Sequence, residues 1–295
     1  MYDCVIIGGG PAGLTAATYL GRFLRRTLLV DAGGGRAARI PRTHNLLGFP
    51  EGISGEELLL RMHQHAARYG AELVSGIVHN IARAETGFVV DMGARPVEAR
   101  TLLLAQGVTN HQPRLAAEVH DHAVSRGLIR YCPVCDGFEV RGKSVAVLGC
   151  SDHGAAEARF IRRYSDTVAL LTQEASQLSG SDEGDLVRSG IVVQRAPIHT
   201  LSVSDDAILA SLVDGPSLRF DTLYVALGTS ARSELARMAG AELSASGCII
   251  VDEHQQTTID GLFAAGDIVE GLDQIAVAAG QAAKAATAIH NRLSG

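Results

Sequence analysis

The sequence predicts an α/β fold built from two doubly wound domains, the second inserted into the first. Three observations predict it. A strand, glycine-rich turn, helix and second strand run from Val5 to Asp31, and a similar unit runs from Val145 to Leu171. In each half a later apolar strand ends in glycine, at Leu104-Ala105-Gln106-Gly107 and Tyr224-Val225-Ala226-Leu227-Gly228, so the chain reads as an approximate internal duplication. A C-terminal tail matches neither repeat and is expected to return to the first domain. A chain of 295 residues suffices for two separate cores.

Taken in order, Val5-Ile6-Ile7 is an apolar run with the composition of a buried strand. Gly8-Gly9-Gly10-Pro11-Ala12-Gly13 then turns it into a helix expected from Leu14 to Leu24, and Thr27 to Val30 is the paired strand, closed by Asp31. A looser stretch from Gly33 leads to a helix expected over Gly55 to Tyr69. Strands follow around Phe88-Val89-Val90 and Thr101 to Leu104. Beyond Gly107 come Pro113, a His-rich stretch and Cys132-Pro133-Val134-Cys135-Asp136-Gly137. The second unit follows, with strand Val145 to Leu148, a helix from about His153 to Tyr164 and strand Thr167 to Leu171. The segment from Ile249 to Asp267 and a small-residue helix over Ile275 to Leu293 complete the chain. The expected division is 1–112 with 246–295 for the first domain and 113–245 for the insertion, with hinges near Gln112-Pro113 and Ser244 to Gly247.

Composition excludes several classes. With 46% hydrophobic and 20% charged residues the chain is that of a globular protein. A net charge of −6 without basic blocks disfavours nucleic acid and anionic membranes as partners. No apolar run is long enough to span a bilayer. Met1 leads almost directly into a strand, which leaves no room for an export leader, so a cytoplasmic location is expected. Of five cysteines only Cys132 and Cys135 are closely spaced, which argues against a secreted disulfide framework. Cys4 and Cys248 read as small core hydrophobes.

The first turn has the pattern of a dinucleotide site. Gly8 permits the bend, Gly10 lets a pyrophosphate approach the backbone, and Gly13 lets helix and strand pack closely, with the helix N-terminus facing the phosphates. Asp31 would accept adenosine ribose hydroxyls. Gly266-Asp267, after the strand-like Leu262 to Ala264, could hold a polyol such as a ribityl chain, and the helix behind it could offer its N-terminus. Together these point to FAD on the first domain. A Cys-x-x-Cys pair beside a strand–helix–strand unit reads as redox chemistry. A zinc cage from His120, His122 and the two cysteines can also be drawn, but its spacing is not that of a zinc finger, and no metal is assigned.

With these motifs in order, the chain resembles the low-molecular-weight thioredoxin reductases of the pyridine nucleotide-disulfide oxidoreductase superfamily over nearly its whole length. The resemblance rests on the first glycine turn, Asn45-Leu46-Leu47-Gly48-Phe49-Pro50, the Cys-x-x-Cys-Asp-Gly motif and Gly266-Asp267. It implies two Rossmann-like FAD/NAD(P)-binding domains. It implies FAD held by Gly8, Gly10, Pro11, Ala12, Gly13, Asp31, Asn45, Gly107, Gly266, Asp267, Gln274 and Ile275. It further implies that Cys135 contacts the flavin, that Cys132 attacks the substrate disulfide, and that Asp136 protonates the departing thiolate. The implied partner is a thioredoxin-like protein or a small disulfide or dithiol, the implied assembly is a homodimer, and domain rotation is expected to present the cysteines alternately to flavin and partner.

The second turn departs from this pattern. In Gly149-Cys150-Ser151-Asp152-His153-Gly154, Ser151 stands where the backbone should meet a pyrophosphate. After the paired strand the family's NADPH-binding members carry arginines for the 2′-phosphate, whereas this chain reads Thr172-Gln173-Glu174, with no local cation expected. Asp273 also replaces the arginine that precedes Gln274 in the family. Arg159, Arg162 and Arg163 on the helix are expected to form a solvated face. NAD(P)H is thus a weak candidate cofactor. The alternatives are an oxygen-dependent dithiol oxidase, a ferredoxin-dependent reductase that does not use NADPH, and a non-catalytic flavin redox sensor.

Overall fold

A computed structural model describes residues 1–93, 96–174, 177–212 and 215–295. It divides into two compact units, one made of Met1–Ile40, Ile53–Thr109 and Ser230–Gly295, the other of Pro41–Gly52 and Asn110–Thr229.

The first unit is built on a sheet whose centre is parallel. Glu72–Ser75, Thr27–Asp31, Tyr2–Ile7 and Val97–Leu104 lie side by side, and Leu262–Ala264 adds to the far edge of the last strand. The start of Val97–Leu104 also pairs antiparallel with Gly87–Asp91, which pairs in turn with Asn80–Ala84 at the sheet edge. Strand residues alternate between two apolar layers. Cys4, Ile6, Leu29 and Leu103 face the helices Pro11–Arg22 and Ile275–Ser294, and Val5, Ile7, Leu28 and Leu104 face the opposite layer. The fully buried alanines Ala16, Ala17, Ala282, Ala285 and Ala286 belong to the first of these layers and explain the small-residue composition of the last helix.

The second unit has a five-stranded parallel sheet in the order Ile191–Val193, Thr167–Leu171, Ser144–Leu148, Thr222–Val225, Ile129–Arg130. A separate antiparallel sheet of Ile198–Val203, Ile208–Leu212 and Ser217–Phe220 accompanies it. The sequence reading did not separate these three short strands, because polar residues interrupt their apolar runs.

The duplication shows in matched hydrogen bonds. Gly8 N donates to Val30 O and Gly149 N to Leu171 O, each at 2.9 Å; Ala105 N donates to Ile7 O and Ala226 N to Leu148 O, each at 2.8 Å. Position by position, therefore, Gly8 corresponds to Gly149, Gly10 to Ser151 and Asp31 to Thr172.

Three expectations need correction. The first helix begins at Pro11 rather than Leu14, because proline at the first helical position gives up no intrahelical donor. The second-unit helix is Asp152–Ile161, ending three residues short of Tyr164. The division between units falls after Thr109 and Thr229, not after 112 and 245, and Pro41–Gly52 groups with the second unit. The physical reason for the later boundary is Leu235 and Ala236 of the short helix Glu234–Met238, which are buried in the first unit's core with Ala241. Chain crossings thus occur near Val108–Asn110 and Thr229–Ala231, two short strands that pair with each other.

Candidate functional site

In the first unit, the glycine turn is shaped by what its backbone must pass. A Cβ on Gly13 would lie 1.8 Å from Gly8 O, and one on Gly8, whose φ is +114°, would lie 2.3 Å from Ala105 O. Gly9 N donates to Asp31 Oδ1 at 2.9 Å, which fixes the acid at the end of its strand. Gly10 differs: no described atom lies within 4 Å of its Cβ position. Among the described residues no side chain caps the Pro11–Arg22 helix and no acid sits in its first turn. Its N–H groups therefore face an open, uncompensated position, which suits a pyrophosphate.

Gly266, with φ +86°, brings the C-terminal segment onto this turn, since its Cβ position lies 3.0 Å from Ala12 Cβ. Gly266 N donates to Gln281 Oε1 at 2.8 Å. Gln274 and Ile275 begin the last helix, at its N-cap and first position. Gly107 has φ +65° and no described atom near its Cβ position, and the preceding Gln106 has a buried Oε1 without a partner among the described residues. An orphaned acceptor beside an open glycine fits a bound group better than a packed core. Asn45 accepts from Thr43 Oγ1 at 2.8 Å and lies in the segment grouped with the second unit.

Sequence reasoning missed Arg36. Its guanidinium reaches Asp273 at 2.6 Å and Asp267 at 3.2 Å. The residue that stands where the family has arginine is thus itself paired with an arginine from far earlier in the chain. No local signal marks this contact. Burial raises the Asp267 carboxyl above its ordinary range, the neighbouring Asp273 adds to this, and Arg36 opposes both. A carboxyl raised on folding contributes stability below its ordinary range, and that contribution is lost as pH climbs through the raised value. Removing Arg36 deepens the loss on the alkaline side. Arg36→Met is expected to cost about 2 kcal/mol at about pH 8 and much less at about pH 4, read as urea midpoints; an equal cost at both pH values would refute the charge argument.

In the second unit, Cys132 and Cys135 are joined as a disulfide, with Cα atoms 5.2 Å apart. Pro133 starts the single turn Pro133–Asp136, and Cys135 N lies 3.1 Å from Cys132 Sγ. Asp136 follows at once. Arg130 Nη1 donates to its Oδ2 at 2.6 Å and Tyr224 Oη to its Oδ1 at 2.7 Å. Burial raises the Asp136 carboxyl, while Arg130 and Tyr224 hold it back. His120, one corner of the drawn zinc cage, is buried and bonded through Nδ1 to Asp121 at 2.8 Å and through Nε2 to Tyr131 at 2.6 Å. Among the described residues no group of three potential ligands is placed to hold a metal.

The second glycine turn keeps the tight geometry, with the Gly154 Cβ position 2.9 Å from Gly149 Cα, but not the openness. Ser151 fills the place of Gly10, and Asp152 puts a carboxylate in the first turn of the helix. His153 pairs with Glu157 at 3.2 Å, a contact that raises the imidazole above its ordinary value. Thr172, in the place of Asp31, has its hydroxyl tied into its own turn, donating to Glu174 O at 2.6 Å and accepting from Glu174 N at 3.1 Å. One expectation is overturned here: a cation is available, because Arg114 reaches Glu174 at 3.0 Å. Both side chains are exposed, so this pair contributes little to stability. Arg162 is held by Asp166, Ser165 O and Ser189 O at the far end of the helix, and Arg159 reaches Asp182 at 3.6 Å.

An α/β chain with an open dinucleotide turn in one unit and a Cys-x-x-Cys disulfide followed by a half-buried acid in the other has the parts of a flavoprotein oxidoreductase. The profile described as "Pyridine nucleotide-disulphide oxidoreductase" matches residues 2–282, and the chain belongs to that family. A thioredoxin reductase of Aquifex aeolicus is 30% identical over 310 aligned positions, covering 100% of this chain and 94% of the relative. One from Bacillus subtilis is 29% identical, with 99% and 94% covered. The crystal structure of a thioredoxin reductase from Streptococcus pyogenes superposes with a TM-score of 0.91 at 26% identity, over 100% of this chain and 98% of the other. The chain is thioredoxin reductase-like, and an oxidoreductase. No helix among the described residues is long and apolar enough to cross a membrane.

Proposed function

We propose that this protein is an FAD-dependent thiol–disulfide oxidoreductase that passes two electrons through the Cys132–Cys135 pair to the disulfide of a thioredoxin-like protein or a small molecule. The observation that carries this reading is the Cys132–Cys135 disulfide followed directly by a mostly buried acid, Asp136. FAD, when bound, supplies a ring that takes up and releases an electron pair. The residues that would hold it are the Gly8–Gly13 turn, Asp31, Gly107, Gly266 and Asp267, with Gln274 and Ile275 at the start of the last helix and Asn45 as a further candidate.

The exchange balances on the protein's own groups. Cys132 thiolate attacks one partner sulfur, forming a mixed disulfide and expelling the other partner sulfur as a thiolate, which takes the proton held by Asp136. Cys135, having lost its proton to solvent, attacks Cys132 Sγ, re-forms the intramolecular bond and releases the second partner sulfur. The dithiol loses two electrons, the partner disulfide gains them, and solvent returns the protons. The test is rapid mixing of dithionite-reduced holoprotein with a disulfide. Release of four thiols per protein, two for the electron pair of the dithiol and two for that of the flavin, with return of flavin colour supports the reading, and no thiol release sinks it.

The donor side favours a second reading. The filled Ser151 position, the Asp152 carboxylate and the tied-up Thr172 do not fit a nicotinamide dinucleotide as the first turn fits FAD, and no step is derived through one. A dithiol or ferredoxin is the better donor class on this ground, with a dithiol oxidase as the same chemistry run in reverse. Millimolar NADH and NADPH are expected to leave the flavin oxidised under anaerobic conditions while a small dithiol bleaches it; rapid bleaching by NADPH refutes this reading. Homodimerisation, carried by resemblance, is checked by sedimentation. A cytoplasmic location suits an exchanging Cys pair beside three free cysteines.

A further inference from the structure

Asp136 does not stand alone. Arg130 and Tyr224 are direct neighbours across paired parallel strands, and both side chains converge on the same carboxyl. Tyr224 is fully buried, on a central strand of the sheet. Its hydroxyl makes the 2.7 Å bond to Oδ1 and a longer one, 3.2 Å, to the backbone oxygen of Asp136. Arg130 holds the other oxygen and keeps a buried Nε without a partner among the described residues; Glu139, three residues beyond Asp136, has a buried Oε2 in the same condition. Asp136 is thus the carboxyl bonded to this guanidinium, and Glu139 acts on it only through its charge.

We propose that Arg130 and Tyr224 are positioning residues that fix the Asp136 carboxyl and, together with the charge of Glu139, set how tightly it holds the proton it delivers. This rests on the reading of Asp136 as the acid for the departing thiolate. The groups that bear on Asp136 are Arg130 and Tyr224 from the sheet and Glu139 from its own segment. The helix Asp152–Ile161, which packs near the Cys turn, carries His153 and Glu157, which pair with each other, and Arg159, which reaches Asp182. Tyr164, just beyond it, packs against Gly137 through its ring. Tyr224 donates rather than accepts, because burial comes first and Asp136 second in holding its phenol protonated. Both Arg130 and Tyr224 thus stabilise the carboxylate, and losing either strengthens the hold on the proton.

The experiment follows thiol release from dithionite-reduced holoprotein across pH with two probes. Bis(2-hydroxyethyl) disulfide expels a basic alkyl thiolate that needs a proton, whereas 5,5′-dithiobis(2-nitrobenzoate) expels an aromatic thiolate that does not. With the alkyl probe the rate is expected to fall as pH rises through the range in which Asp136 ionises. Tyr224→Phe is expected to move that fall upward by about one pH unit. Arg130→Met moves it further, and Arg130→Lys restores part of the wild-type position. With the aromatic probe the variant-to-wild-type rate ratio is expected to be independent of pH. A fall that stays in place in both Tyr224→Phe and Arg130→Met, or a uniform loss over all pH with both probes, overturns the proposal. Failure of the acid assignment is visible separately, as an Asp136→Asn protein that keeps the wild-type fall.

Discussion

Cys135→Ser protein is expected to retain its flavin and lose turnover of a partner disulfide by about 10³-fold or more. The argument is one of bond order rather than affinity. In this variant the Cys132 thiolate can attack once, but no second thiolate remains to release the adduct. A stable mixed disulfide at Cys132 should accumulate, one per chain, visible by mass spectrometry. Cys132→Ser should lose turnover equally and form no such adduct under the same conditions. The asymmetry is grounded in the turn itself, where the Cys135 N–H lies 3.1 Å from Cys132 Sγ, a donor that a thiolate formed at Cys132 would retain. If the Cys132→Ser protein forms the adduct and Cys135→Ser does not, the two roles are exchanged. If either variant turns over at the wild-type rate, the pair is not the conduit.

The second large effect concerns the first glycine turn, where two glycines of the same short motif should fail in different ways. Gly10→Val is expected to fold and to bind FAD at least about 10³-fold more weakly. Its backbone is extended, and no described atom lies within 4 Å of the added Cβ, so the folded chain has room for it. The isopropyl group instead occupies the approach to the uncapped helix N-terminus. Gly13→Ala is expected to destabilise the fold itself, by about 3 kcal/mol or more, because its Cβ would sit 1.8 Å from Gly8 O, a backbone atom that cannot rotate away. Circular dichroism in urea separates the two, with flavin absorbance after gel filtration as the second readout. A Gly10→Val protein that keeps its yellow colour would place the cofactor elsewhere.

Much of this was readable from contiguous residues. The glycine spacing, the apolar strand runs and the terminal Asp31 lie within single strand–turn–helix units, whose geometry depends on local sterics and hydrogen-bond spacing. The Cys-x-x-Cys-Asp run is likewise local, and its disulfide closes across three residues. The misplaced helix start at Pro11 and the second-unit boundary show where such reading thins out. Proline reads as a breaker until its position in the helix is known, and Leu235-Ala236 reveal their allegiance only through the core they enter.

By itself, then, the sequence determined the duplicated α/β architecture, the glycine turn around Gly10 and the closely spaced Cys132–Cys135 pair, since each is written in a short stretch of chain. Only the tertiary structure decided which charges meet. Arg36 joins Asp267 and Asp273 across 231 and 237 residues, and Tyr224 reaches Asp136 across 88. Arg114 supplies the cation beside Glu174 across 60 residues. Long polar side chains have no periodicity that announces a partner, and their pairing depends on which strand ends the sheet brings side by side.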